Sequence, residues 1–236
     1  MKIAIVGSGK LSKALVDKLP QLGPEIHTEK VADFSSSNID FCIHTGSGRE
    51  WNQTLELCAK KSIPLIQAST PSDQLFPDAP TFVGIYAPNF CISVLKFQRL
   101  SYLIKALYPS AKISLTESHQ REKSTRAATA ERLAKLVGIP SDEIQHIRDE
   151  SVQLELGIPE DALAHHAYHE LKLEDKSAEL KFSCKVTGAD AYAEGAYALI
   201  DYLRRTPLAN GIYYLEDLIE DTSFEALAPS FDSTSC

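Results

Sequence analysis

The segment Gly7–Ser12, with the sequence GSGKLS, has the residue types and spacing of a turn that binds a diphosphate. A glycine at position 7 permits a tight turn. A glycine at position 9 lets a pyrophosphate approach the backbone at a helix start, where N–H groups and the helix dipole favour an anion. A strand-to-helix turn that binds nothing has the same outline. The context favours binding, because an apolar run precedes the motif and a helical pattern follows it.

An acidic and a basic residue stand side by side after the second predicted strand, at Glu29 and Lys30. An acidic residue at this place holds the ribose hydroxyls of a dinucleotide, whereas a cationic one accommodates a 2′-phosphate. The pair leaves the choice between NADH and NADPH open.

A second group of polar residues follows a predicted strand near the middle of the chain. Ile113 and Leu115 alternate with polar residues, and the same alternation puts Glu117 and His119 on the inward face. An imidazole at the end of a buried face suits a proton donor near neutral pH. A structural histidine, hydrogen-bonded at the end of a sheet, is the alternative interpretation.

Lys123 precedes the expected N-terminus of a helix, and Thr129 lies in or near the first turn of that helix. Ser124 and Thr125 are the expected capping region. A lysine beside a helix N-terminus makes a site for a carboxylate, although a solvated surface charge would leave the same pattern.

The histidine-rich segment around His165, His166 and His169 does not predict a metal site. In a strand His165 and His169 share a face but lie about 13 Å apart at roughly 3.3 Å per residue, while His166 points the other way. The five cysteines form no C-x-x-C pair and are odd in number, which favours a reducing compartment over a disulfide framework.

Composition narrows the class of protein. A chain of 236 residues, 44% hydrophobic and 24% charged, is typical of a globular protein with one large or two modest domains. A net charge of -8 disfavours general binding to nucleic acid or anionic membranes. The first apolar run is too short for a signal segment or a membrane span, so a cytoplasmic protein is expected.

The hydrophobic pattern predicts an α/β fold with two parts. In residues 1–108, apolar strands alternate with helices, which predicts a Rossmann-type parallel sheet with helices on both faces. The pattern of residues 109–205 predicts an α+β domain with an open mixed sheet, and 206–236 is expected to pack back on the first domain. The carboxylate site around Lys123 and the open sheet face lead us to expect that residues 109–205 bind substrate and form the oligomer. The predicted strands are 2–6, 41–44, 64–67, 81–86, 164–174 and 178–186, and the predicted helices include 51–62 and 190–204.

Six blocks carry a resemblance to a known family: GSGKLS, IPLIQAST, YAPNFCISV, ESHQREKSTRAATA, VTGADAYAEGAYALIDYL and NGIYYLEDLI. They resemble the 4-hydroxy-tetrahydrodipicolinate reductases, formerly dihydrodipicolinate reductases, of the diaminopimelate pathway to lysine. The third block follows that family's A-P-N-F-S-x-G-V, and the fourth is set against E-x-H-H-x-x-K-x-D-x-P-S-G-T-A. YAPNF and DAYAEGA are the most specific parts.

The resemblance implies a homotetrameric, cytoplasmic reductase that uses NADH or NADPH on a small carboxylated imine. It implies that His119 is a proton donor, that Lys123 is a second catalytic residue, and that Lys123 and Thr129 hold a substrate carboxylate. The implied cofactor-binding residues are Gly7, Ser8, Gly9, Lys10, Leu11, Glu29, Lys30, Thr45, Gly46, Ala68, Ser69, Thr70, Ala87, Asn89 and Phe90. The implied substrate-binding residues are Gln120, Ala128, Thr129 and His169, and no metal is implied.

Departures from the family pattern fall on the carboxylate loop. Gln120 replaces the second histidine, the aspartate and the Pro-Ser-Gly run are absent, and the stretch from Lys123 to Thr129 is one residue short. Backbone N–H groups at Ala127 and Ala128 can still cradle an anion. Two alternatives therefore stand beside the reductase: an enzyme of the same fold that reduces a different cyclic imine or ketone, and a catalytically silent nucleotide-binding regulator.

Overall fold

The computed structural model describes residues 1–36, 38–69, 75–123 and 127–225. The strands in these ranges are β1 (Lys2–Val6), β2 (Glu25–His27), β3 (Phe41–His44), β4 (Leu65–Gln67), β5 (Val83–Tyr86), β6 (Lys112–His119), β7 (Gln145–Ile147), β8 (His166–Asp175), β9 (Ala178–Thr187) and β10 (Gly211–Tyr214). The α-helices are α1 (Lys10–Lys18), α2 (Trp51–Lys61), α3 (Ile92–Leu107), α4 (Ala128–Val137), α5 (Glu150–Glu155), α6 (Asp190–Arg205) and α7 (Leu215–Leu218).

The chain forms two compact units, the first made of two separate segments and the second of the segment between them. The first unit contains Met1–Ile92 and the chain from Asp190 onward, and the second contains Ser93–Ala189. The division expected from the sequence, 1–108 and 109–205, differs at two helices, since α3 falls in the second unit and α6 in the first. None of the described helices is both long and apolar enough to cross a bilayer.

A six-stranded sheet with the order β10-β5-β4-β3-β1-β2 forms the centre of the first unit. All of its neighbouring strands pair in parallel. β3 is buried at every residue, and β1 at every residue except Lys2, as expected for strands covered on both faces. The chain goes from β1 to β2 on one side and returns to β3 on the other. This reversal of strand order is the place where open parallel sheets bind ligands.

The core of the first unit explains a glycine in α6. A Cβ atom at Gly195 would stand 1.7 Å from the carbonyl oxygen of Phe90, so only glycine lets α6 approach the chain this closely. Phe90 itself is fully buried. The two blocks that carry most of the family resemblance, YAPNF and DAYAEGA, thus meet in one contact.

A four-stranded mixed sheet with the order β7-β6-β8-β9 forms the second unit's framework. β6 pairs antiparallel with β8, β8 antiparallel with β9, and β6 parallel with β7. One face is covered by α3 and α4, whose buried side chains join those of the sheet in one cluster that includes Phe97, Leu115, Leu133 and Leu171. The α/β class and the open mixed sheet predicted from the sequence are confirmed, while the short strands β7 and β10 escaped prediction.

Candidate functional site

The turn after β1 requires glycine at position 7. Gly7 has φ of 133°, and a Cβ there would stand 2.3 Å from Thr45 Oγ1 and 2.9 Å from the Gly46 backbone nitrogen. The Ser12 hydroxyl, in α1, donates to the Gly7 carbonyl at 2.8 Å and is buried. The serine that replaces the usual third glycine therefore fastens the first turn of α1 to the strand end.

Gly9, in contrast, faces open space. It caps α1 with φ of −75° and ψ of −175°, an extended conformation that other residues adopt. A Cβ at this position would meet no heavy atom within 4 Å. The first N–H groups of a helix lack partners within the helix, so the free space in front of Gly9 is one that an anion can enter and bind.

A cavity of about 650 Å³ lies at the point where the strand order reverses. It is lined by the end of β1 and by residues that follow β1, β2 and β3. Of the sequence-predicted cofactor residues, Gly7, Ser8, Gly9, Glu29, Lys30, Thr45 and Gly46 line it. Ile5, Val6, Thr28, Ser47, Arg49 and Glu50 also line it and were not predicted.

The charged residues that line the cavity differ in the hydrogen bonds that they make. Glu50 Oε1 accepts a hydrogen bond from the Val31 backbone N–H at 3.1 Å, so this carboxylate holds the chain after β2. The Arg49 carbonyl accepts from His44 Nε2 at 3.0 Å, which fixes the loop after β3. Arg49 lines the cavity together with the exposed Glu29 and Lys30, and Glu29 Oε1 lies 3.7 Å from His27 Nδ1.

The other sequence-predicted cofactor residues do not line this cavity. Lys10 and Leu11 lie in the first turn of α1. Ala68 and Ser69 follow β4, and Ala87, Asn89 and Phe90 follow β5, all at the carboxyl edge of the same sheet. Asn89 Oδ1 accepts from the Cys91 N–H at 2.8 Å, and Phe90 is core. Thr70 lies outside the described residues.

Glu117, in β6, is the centre of a buried polar cluster in the second unit. Its side chain is fully buried, and its Oε2 accepts from Nδ1 of His119 at 2.5 Å. Its Oε1 accepts from Nδ1 of His146 at 2.5 Å and from Nη2 of Arg148 at 2.6 Å. Burial alone raises the pKa of Glu117, but hydrogen bonds from His119, Arg148 and His146 outweigh it and lower the pKa to about 2. The carboxylate is therefore ionised at neutral pH.

His169 stands opposite Glu117 on β8 and contacts His119 edge to face, with ring centroids 5.6 Å apart. The side chain is 2% exposed, and neither ring nitrogen has a hydrogen-bond partner among the described residues. Burial first, then the charge of His119, and least of all the charge of Lys123 lower the pKa of His169 to about 4, against the opposing effect of Glu117. A neutral, unpartnered imidazole in a polar cluster is a group that a ligand can satisfy.

The structure brings His119 and His169 into ring contact, and Lys123 follows β6 closely enough for its charge to lower the pKa of His169. The Lys123 N–H donates to the Gln120 carbonyl at 3.0 Å, which makes a turn at the end of β6. Ala128 and Thr129 begin α4, whose capping residue Ala127 makes no side-chain cap. The expected cap at Ser124 and Thr125 lies outside the described residues.

His166 has a structural explanation. Its Nε2 lies 2.9 Å from the Ser118 hydroxyl oxygen, and its Nδ1 lies 2.9 Å from the Leu163 carbonyl oxygen. His165 precedes β8 and is exposed.

The curated relatives of this chain carry the name of one enzyme, and solved structures share its fold. A protein named 4-hydroxy-tetrahydrodipicolinate reductase 2, chloroplastic, from Arabidopsis thaliana is 26% identical over 189 residues, covering 72% of this chain and 54% of its own length. A probable 4-hydroxy-tetrahydrodipicolinate reductase 1, chloroplastic, from Oryza sativa subsp. japonica is 27% identical over 185 residues with the same coverage. The chain is thus similar, at 26–27% identity over 72% of its length, to proteins named 4-hydroxy-tetrahydrodipicolinate reductase. It spans about half the length of the curated relatives it matches.

Solved structures of two enzymes share the fold of this chain. Dipicolinate-bound dihydrodipicolinate reductase from Paenisporosarcina sp. TG-14 matches with a TM-score of 0.68 at 14% identity, covering 92% of this chain and 99% of that chain. The C. glutamicum DAP dehydrogenase in complex with DAP matches with a TM-score of 0.52 at 9% identity, covering 92% and 93%. No family model matches the chain. These structural likenesses concern the reductase fold alone.

Sequence reasoning missed the partners that hold the histidine cluster. His146 and Arg148 come from β7 and the residue after it, and Gln153 from α5 donates to the His119 carbonyl at 2.8 Å. The only sequence signal was the inward position of Glu117, since a buried carboxylate requires donors. That signal predicts that partners exist but does not identify them.

Proposed function

We propose that the chain is an NADH- or NADPH-dependent reductase of 4-hydroxy-tetrahydrodipicolinate, acting in the diaminopimelate route to lysine. The observation that carries the proposal is the cluster of His119, His169 and Lys123, which combines a carboxylate-bound imidazole, a neutral imidazole and a cation on one unit of a reductase-type fold. Homologues that bear this activity in their names support the same substrate.

The first unit fits a dinucleotide. The open space at Gly9 and the start of α1 suit the pyrophosphate, and Glu29, Lys30 and Arg49 suit the adenosine ribose or its 2′-phosphate. When bound, the reduced nicotinamide supplies the hydride. The protein's part is to hold the dinucleotide and to exclude water from the reacting atoms.

The second unit supplies the proton and the substrate grip in this proposal. His119 donates from Nε2, because its Nδ1 is engaged by Glu117. Lys123 and Thr129 bind a substrate carboxylate together with backbone N–H groups at the start of α4, where the helix dipole favours an anion. His169 and Gln120 complete the substrate contacts.

A second candidate is a reductase of a different cyclic imine or ketone, and one observation favours it. Gln120 occupies the place of a family histidine, and the stretch from Lys123 to Thr129 is shorter than in the family pattern. An amide cannot carry the charge of an imidazolium, so the carboxylate geometry that the loop accepts is altered.

A steady-state assay with enzymatically generated 4-hydroxy-tetrahydrodipicolinate tests the proposal. The readout is the consumption of NADH or NADPH, followed by its absorbance. We expect turnover with this substrate and at least a 100-fold loss of kcat/KM, about 3 kcal/mol, in Lys123→Ala with unchanged cofactor affinity. Turnover only with another cyclic imino acid or ketone selects the second candidate. Cofactor binding without any turnover identifies a silent nucleotide-binding protein instead.

The quaternary structure and the compartment are part of the proposal. A homotetramer is expected from the resemblance, and β9 offers a sheet edge for association in the second unit. Light scattering after size exclusion measures the assembly. A cytoplasmic location is proposed from the sequence, and fractionation of the source cells distinguishes it from the plastid location in the plant relatives' names.

A further inference from the structure

We propose that Glu117 is a positioning residue that holds the hydrogen of His119 on Nδ1, so that Nε2 is the atom that exchanges a proton with substrate. This inference rests on the proposed function for the identity of the reaction. The state of the His119 ring, however, follows from the geometry of the second unit alone.

The first step is the geometry of the pair. Glu117 and His119 are two residues apart in β6 and therefore lie on the same face of the strand. Glu117 is fully buried, and its Oε2 lies 2.5 Å from His119 Nδ1. An ionised carboxylate only accepts hydrogen bonds, so Nδ1 must be the donor and carry the hydrogen.

The second step concerns the other carboxylate oxygen, Oε1, which is already occupied by two other donors. Oε1 accepts from Arg148 Nη2 at 2.6 Å and from His146 Nδ1 at 2.5 Å. A guanidinium has no acceptor and keeps its charge, so it holds Glu117 ionised. The carboxylate is thus committed on both oxygens, with Oε2 left to His119.

The third step is the surroundings of the ring. Gln153 Nε2 donates to the His119 carbonyl at 2.8 Å, so α5 fixes the backbone from the other side. The ring edge meets His169 on β8. The charged and titratable groups that act around His119 are Glu117, Arg148, His146, His166, His169 and Lys123. Among these groups, Glu117 is the anion, and its Oε2 is hydrogen-bonded to Nδ1 of His119.

The proton balance follows from this arrangement. In the forward reaction the Nε2–H bond of the protonated His119 breaks, its electron pair stays on Nε2, and a new bond forms between that proton and the substrate. The ring becomes neutral with its hydrogen still on Nδ1 and still donated to Glu117. A single tautomer is therefore used in every cycle, and no ring reorientation is needed.

Glu117→Gln makes a sharp test because an amide has one acceptor and one donor side. Arg148 can only donate, so the amide oxygen must remain with it and the NH₂ group must turn toward His119. Nδ1 must then accept, which moves the ring hydrogen of the neutral form to Nε2. The variant is expected to convert His119 to the opposite tautomer with nearly unchanged volume.

The first measurement is ¹⁵N NMR of the histidine rings in the full chain at alkaline pH, where His119 is assigned by comparison with His119→Gln. We expect hydrogen on Nδ1 in the native protein and on Nε2 in Glu117→Gln. Hydrogen on Nε2 in the native protein overturns the proposal without any variant. Glu170→Gln is the matched control, because its carboxylate, on the neighbouring strand, accepts from the Tyr168 hydroxyl at 2.7 Å and should leave His119 unchanged.

The second measurement is the pH profile of kcat/KM. The amide carries no negative charge beside Nδ1, so in Glu117→Gln the fall of activity with rising pH should move to lower pH. kcat near neutral pH should fall about 100-fold, the size of a general-acid effect, with the cofactor KM unchanged. An unchanged profile overturns the proposal. If Glu117→Gln does not fold, Glu117→Asp retracts the carboxylate and should give a smaller loss with the same direction.

The two proposals fail in distinguishable ways. If the protein turns over no substrate but the NMR tautomers are as expected, the proposed function fails and the positioning of the ring stands. If the native protein reduces its substrate with hydrogen on His119 Nε2, the positioning role fails and the function stands.

Discussion

The cofactor turn of the first unit and the histidine cluster of the second are built from different parts of the chain. At the turn, backbone conformation determines the site, and one side chain, Ser12, ties it together. In the cluster, side-chain hydrogen bonds determine the site, and four of them converge on two charged groups, Glu117 and Arg148. The turn should therefore tolerate side-chain changes that leave the backbone unaltered, whereas the cluster should respond to any change of charge.

The largest expected effect distinguishes two glycines of the turn. Gly7→Ala forces a positive φ and a close contact with Thr45 and Gly46, so the free energy of unfolding should fall by about 3 kcal/mol or more. Gly9→Ala places its methyl group in open space and should change the free energy of unfolding by less than about 1 kcal/mol. Chemical denaturation measures both variants, with equal losses contradicting the distinction.

The same pair sharpens the ligand argument. The added methyl group of Gly9→Ala stands where the pyrophosphate is proposed to lie, so dinucleotide affinity should fall at least about tenfold while stability is retained. Isothermal titration with NADPH gives the affinity. Unchanged binding in this variant would mean that the diphosphate does not contact this turn.

The next effect concerns the histidine cluster and pH. The unfolded chain binds a proton on His169 near the ordinary pKa of 6.5, whereas the folded protein does so only near its lowered pKa of about 4. Its contribution to stability is therefore intact above about pH 6.5 and decreases as the pH falls toward about 4, by up to about 3 kcal/mol. His169→Leu should flatten this part of the stability profile in urea denaturation.

The matched control for this experiment is His165→Leu, which removes an exposed histidine four residues earlier in the chain. The control should keep the native pH dependence. A native profile that is already flat between about pH 6.5 and 4 would contradict the neutral, buried state of His169.

A smaller effect tests the serine of the turn. Ser12→Ala removes the hydrogen bond to the Gly7 carbonyl and should cost about 1 kcal/mol, the ordinary net value of such a bond. Thermal unfolding measures this loss. Dinucleotide affinity should change little, because the backbone of Gly9 is retained.

The smallest effect concerns cofactor choice. Lys30→Ala should raise the KM for NADPH about threefold and leave the KM for NADH unchanged, since an exposed cation contributes only modestly to binding a 2′-phosphate. Glu29→Ala is the reciprocal variant and should weaken NADH instead. Equal changes with both cofactors would remove Lys30 from the discrimination.

The sequence predicts the two regions unequally, for physical reasons. Gly7, Gly9 and the helix after them are local features, so spacing alone places them, and alternation along β6 places Glu117 and His119 on one face. His146 and Arg148 are brought by β7, which has three residues and no hydrophobic alternation, and its pairing with β6 is a tertiary choice. The positions of Arg49 and Glu50 also could not be predicted from local sequence. Glu50 adopts a positive φ of 60°, and no glycine stands there to indicate such a turn.

The fold class and the family resemblance are confirmed, because both depend on long patterns: strands that alternate with helices, and blocks such as YAPNF and DAYAEGA. The site residues inferred from that resemblance stay predictions. Their tests are the variants above.

Two separate segments of the chain form the first unit, so its parts are synthesised at different times. The second unit is one uninterrupted stretch, Ser93–Ala189, and it leaves the ribosome before α6 and β10 exist. Until Gly211–Tyr214 emerges, β5 is the last strand of the parallel sheet and its outer edge lacks a partner. Each nascent chain therefore carries an uncapped sheet edge for the time that more than a hundred residues take to translate, and an uncapped edge favours pairing with other chains.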